Sequence, residues 1–131
     1  MNNATITIHA NELIAILEDY YKKLDATIEI KTERIYTGLY ETEECKTTIE
    51  LTKNLKIGNS IGTITEILTE EDILEILKPM LNDLGYDPQF LVLLSQFECQ
   101  GYGCAESFEP VFKGAQFQVT KLQHKTLSKN K

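Results

Sequence analysis

Two apolar stripes of helical period, sixty residues apart and each preceded by a β-patterned segment, constrain this chain more than any other feature. In the first, Leu13, Ile14, Leu17, Tyr20, Tyr21 and Leu24 recur at spacings of three and four, predicting a helix from about Ala10 to Leu24. In the second, Ile73, Leu74, Ile76, Leu77, Met80, Leu81 and Leu84 predict a helix from about Glu70 to Leu84. Leu68, Thr69, Asp72 and Ile73 stand where a capping box and hydrophobic staple place them, and Ile8, His9, Glu12 and Leu13 repeat the arrangement. His9 is the poor member, because Ser or Thr caps better. Gly85 predicts a left-handed cap, and Pro79 a kink near residues 75 to 79. Laying Ile8–Leu17 over Leu68–Leu77 matches apolar with apolar at residues 8, 13, 14, 16 and 17, which suggests a duplicated strand-helix-strand unit. Patterning alone also produces such matches between amphipathic helices.

Both stripes need a sheet to cover. Thr5 to Ile8 alternates with period two, and so does Thr27 to Ile30, before parity is lost ahead of Ile35 in a way that predicts a bulge on the way to Tyr40. Glu41-Thr42-Glu43-Glu44 is read as a hairpin loop, after which Ile49, Leu51, Leu55 and Ile57 keep odd parity through a long strand. Gly58-Asn59-Ser60 is a turn, and Ile61 to Leu68 supplies another β-rich segment. Phe90 to Leu94 is a continuous apolar run suited to a central strand, and Phe112 to Thr120 a last strand with one wet face. The expected fold is an α+β two-layer sandwich, two helices on one face of a mixed or mainly antiparallel sheet, with a ferredoxin-like plait plus an added C-terminal strand as the topology ranked first.

At 131 residues, with 42% hydrophobic and 25% charged, the chain reads as a single α+β domain over residues 1–120 and a basic, flexible tail over residues 121–131. No basic segment followed by an apolar run opens it, and no stretch approaches the ~20 apolar residues of a membrane helix, so a cytoplasmic location without a membrane partner is expected. Three cysteines are then expected as thiols. A net charge of −7 repels a phosphate backbone, so direct nucleic-acid binding is not expected. The charge is also segregated: residues 59–112 hold ten acids against Lys78 alone, whereas residues 113–131 hold five lysines and no acid.

Chemistry is harder to find. Cys99-Gln100-Gly101-Tyr102-Gly103-Cys104 holds two thiols, but Cys45, His9 and His124 are the only further thiol or imidazole donors and are scattered, so neither metal nor cofactor is expected. The same two imidazoles are badly placed to activate a nucleophile, and no glycine spacing fits a phosphate-binding loop. The expected function is therefore a small acidic interaction module without catalytic residues, for a protein partner with a basic surface, homo-oligomerisation being compatible. Its expected contact residues are Glu70, Glu71, Asp72 and Glu75 at the second helix and Glu98, Tyr102, Glu106, Phe108 and Glu109 along the later loop. The alternative is an acidic inhibitor, of the kind a phage or mobile element carries, seated in the basic groove of a nucleic-acid enzyme; a metal-binding or hydrolytic enzyme is the third reading.

Overall fold

In the computed structural model, residues 3–37, 42–99 and 108–122 are described. They form β1 (Asn3–His9), α1 (Ala10–Lys22), β2 (Ala26–Thr37), β3 (Thr42–Ile57), β4 (Ser60–Ile67), α2 (Glu70–Asp83), β5 (Tyr86–Cys99) and β6 (Phe108–Lys121). The class is α+β. Both helices fall where their stripes place them, and every strand pairing is antiparallel. No helix among the described residues is long and apolar enough to cross a membrane.

The strands do not form the expected single sheet. They divide into two three-stranded sheets, ordered β1-β6-β5 and β2-β3-β4. The strands flanking α1 lie in different sheets, as do those flanking α2, whereas a ferredoxin-like plait keeps such strands in one. The element order splits into two β-α-β-β halves, and each half gives its first strand to the other's sheet: β1 pairs with β6, and β4 with β3. The weak repeat in the sequence thus corresponds to a repeat of topology. Neither half can complete its sheet alone.

One apolar cluster joins both sheets to both helices. Leu13, Leu17 and Tyr21 of α1 and Ile73, Ile76 and Leu77 of α2 meet Ile49 and Leu51 of β3, Leu91 of β5, and Ala115, Phe117 and Val119 of β6. The alternation expected of the last strand holds, because β6 is the central strand of its sheet and turns its odd positions inward. The apolar run Phe90 to Leu94 is not central: β5 is an edge strand with register shifts after Gln89 and after Leu94. At the first shift, Phe90 and Leu91 together oppose Phe117, and Phe90 adopts a φ of 56°. Inward parity passes there from Pro88 to Leu91, which leaves Phe90 71% exposed.

No bulge interrupts β2. Its register with β3 runs unbroken from Ala26↔Lys53 to Thr37↔Thr42, so the expected loop at residues 41 to 44 is already strand from Thr42 onward. Parity is lost because the inward positions turn polar where the sheets meet. Thr32 Oγ1 shares a 3.0 Å hydrogen bond with the buried Thr47 Oγ1. Arg34 donates to the Phe108 carbonyl at 2.6 Å and lies 5.1 Å from the Phe97 ring centre, tying β2 to both β6 and β5. Ser95 Oγ reaches the Cys45 carbonyl at 3.4 Å alongside.

The caps follow the sequence signals. At α2, Thr69 Oγ1 accepts from Asp72 N at 3.1 Å and Asp72 Oδ2 accepts from Thr69 N at 3.0 Å, completing the capping box. Gly85 takes a φ of 98° and its N–H reaches Asn82 O, as expected of the left-handed cap. His9 has extended N-cap geometry but makes no side-chain cap bond, which leaves the first N–H groups of α1 without that acceptor. His9→Ser supplies one, and is expected to raise stability by about 0.5–1 kcal/mol. A denaturant midpoint that stays put or falls would contradict this. Residues 121 and 122 of the expected tail are ordered, since Lys121 ends β6 and Leu122 N bonds Gly85 O at 2.8 Å; residues 123–131 lie outside the described residues.

Candidate functional site

The expected contact residues resolve into two groups that the fold does not join. The first is the start of α2. Leu68 is buried and donates its N–H to Ile49 O at 2.8 Å, which fixes this turn against β3. Glu70 and Glu71 follow in the first turn and Glu75 in the next, all exposed; Asp72 is occupied by the cap. Acids in a first turn complement the helix dipole, which is a structural reason for their presence. Glu66, which sequence reasoning passed over, belongs with them. It bonds Lys53 at 2.8 Å, and it and Asp72 both bear on the Tyr21 hydroxyl, whose pKa is raised by burial first and by Asp72, Tyr20 and Glu66 after it.

Four strand carboxylates are held in ion pairs, whereas Glu29, Glu33 and Glu109 are in none among the described residues. Glu50 is paired with Lys31, Glu43 with Arg34, Glu66 with Lys53 and Glu98 with Lys113. Glu70, Glu71 and Glu75 form no ion pair among the described residues, although Lys46 lines the same groove as Glu70.

The second group lies along the end of β5 and the start of β6. Glu98 opposes Glu109 across the strands, and two like charges so placed repel. Lys113, the extra residue of the second register shift, bonds Glu98 and relieves the repulsion, and Gln96 Nε2 donates to the same carboxylate at 3.1 Å. These bonds hold the Glu98 carboxyl below the ordinary carboxylate range, the Lys113 bond most strongly. Glu98 is five residues beyond Leu93, which lines the same groove as Glu70, and five strand residues span about 17 Å. The two acidic groups are therefore separate surfaces. Phe108 is exposed and Glu109 faces solvent, while Tyr102 and Glu106 lie outside the described residues.

Cys99 departs from the expectation of free thiols, since it is disulfide-bonded; its partner sulfur lies outside the described residues. Cys45 is a free thiol whose pKa burial raises. Among the described residues, no three His, Cys, Asp or Glu side chains gather as a metal site.

Sequence reasoning missed exposed apolar residues on both faces of the β3–β4 hairpin. β2 ends its pairing at Ala26↔Lys53, so residues 54 to 57 of β3 continue with β4 as their sole strand partner. Leu55 and Ile57 keep the inward parity of Ile49 and Leu51 but are exposed, as are Ile61, Ile64 and Ile67 of β4. The parity was visible in the sequence. That the sheet narrows to two strands there was not.

Comparison with protein-family models, with curated proteins and with solved structures finds no match for this chain.

Proposed function

We propose that the chain is a non-catalytic protein-interaction module that presents the start of α2 to a partner with a basic surface. One observation carries this reading: Glu70, Glu71 and Glu75 lie within two turns at one helix end, all exposed and none in an ion pair among the described residues. Charge gathered on a well-anchored helix end steers a complementary surface and fixes its orientation. Glu98 belongs less to such a surface, because Lys113 already neutralises it.

Isotope-labelled protein titrated with an oligolysine peptide tests the proposal. The expected result is that amide shifts concentrate on residues 66 to 76, weaken as salt rises, and largely disappear in Glu71→Lys/Glu75→Lys. Shifts spread evenly over the sheet carboxylates, or unchanged in the double variant, would count against it.

A further inference from the structure

We propose that β4 is the docking edge for a second copy of this chain, so that two three-stranded sheets join into one six-stranded antiparallel sheet. The four sheet edges are protected unequally. β2 carries Glu29, Lys31, Glu33 and Arg34 along its length. β5 has Asp87, Pro88 and the Phe90 irregularity. β1 turns Ile6 and Ile8 toward the core and exposes Ala4, Thr5 and Thr7. Charges, prolines and bulges are the usual guards of an edge; β1 has none and β4 has one, Glu66, but β4 alone of these two leaves large apolar side chains exposed along its length. Its register with β3 is unbroken over all eight residues, its other edge has no strand beside it among the described residues, and Ile61, Ile64 and Ile67 are 72%, 42% and 54% exposed.

The occupant follows from the order of residues in Ser60-Ile-Gly-Thr-Ile-Thr-Glu-Ile67. A closed dimer needs a twofold axis, and an axis normal to the sheet pairs residues of equal parity. With the axis at Ile64, Ile64 meets its own copy, Thr63 meets Thr65, Ile61 meets Ile67 and Gly62 meets Glu66. Apolar meets apolar, hydroxyl meets hydroxyl, and the single carboxylate falls opposite a residue with no side chain. Glu66 also brings its own counter-ion, Lys53 at 2.8 Å, so no like charges oppose across the junction. Placing the axis at Thr63 or Thr65 instead sets isoleucine against threonine or glutamate. The strand is therefore complementary to itself in one register, and the three exposed isoleucines of β4 are the ones that register pairs.

Sedimentation of the full chain over a concentration series tests this. The expected result is a species of twice the 14.9 kDa chain mass that tightens as salt rises, because two copies of net charge −7 repel. This dependence is opposite to that expected for a basic partner at α2, so the two proposals fail separately. Ile61→Glu, opposite the chain's own Lys56, and Ile67→Lys, opposite Glu50, are both solvent-facing and compatible with the folded monomer, which circular dichroism verifies. Each alone is expected to weaken the dimer at least about tenfold by setting a charge against isoleucine. The double variant is expected to recover it, since residue 61 then meets residue 67 of the other copy with opposite charge. A wild-type chain that stays monomeric while folded, a dimer that neither single change weakens, or a loss that the double variant fails to recover would each overturn the proposal.

Discussion

Gly114→Ala is expected to destabilise the fold by about 3–5 kcal/mol or to prevent folding. Gly114 opposes His9 where β1 passes into α1, and its φ is 126°, a conformation open to glycine and strained for side chains. A Cβ built there lies 2.0 Å from the Ile8 carbonyl oxygen and 2.9 Å from both Ala10 N and His9 C. All three are backbone atoms at the exchanged-strand junction, so relief requires β1 to move away from β6. Two other glycines serve as controls. A Cβ at Gly62 meets nothing closer than Ile57 Cδ1 at 3.9 Å, so Gly62→Ala should change stability by less than about 0.5 kcal/mol. Gly58 has open space but a φ of 63°, so its alanine variant should lose about 1 kcal/mol through backbone strain alone. Denaturant midpoints at unchanged slope rank the three. A Gly114→Ala protein as stable as Gly62→Ala would mean that the β1–β6 approach is looser than described.

Phe117→Ala is expected to lose about 3–5 kcal/mol. Phe117 is the largest wholly buried side chain among the described residues and sits on the central strand β6, opposite Ile6 of β1 on one side and the Phe90–Leu91 irregularity of β5 on the other. Truncation removes its transfer free energy and opens a cavity in a core to which both helices contribute, so collapse from one side cannot fill it. Phe90→Ala removes the same atoms from a side chain 71% exposed, and should cost less than about 1 kcal/mol. The difference between the two phenylalanines, measured as paired unfolding curves, isolates burial from residue type. Equal losses would contradict the assigned parity of β5 and β6.

What the sequence determined by itself was local: where helices begin and end, which stripe they bury, and which residues alternate. The Thr69–Asp72 box, the Gly85 cap, and the inward Phe117 and Val119 are all set by interactions between residues a few positions apart, or by a period that one buried face imposes. The clustering of Glu70, Glu71 and Glu75 was legible for the same reason, since neighbours on one helix are neighbours in space. Tertiary structure alone decided the partition into two sheets, because strand pairing joins residues as far apart as Asn3 and Thr120, and patterning does not distinguish one antiparallel neighbour from another. It also decided why β2 loses parity: Thr32 bonds the buried Thr47, and the exposed Arg34 reaches the Phe97 ring, partners that no spacing in the sequence announces. The same holds at the surface. Glu98 and Glu70 lie in one acidic segment of the sequence but are separated by about five residues of strand, and Glu98 has Lys113 beside it. Leu55 and Ile57 repeat the inward parity of Ile49 and Leu51, yet they face solvent because β2 pairs with β3 no further than Lys53. Periodicity specifies a face; whether anything covers that face depends on how far the neighbouring strand extends.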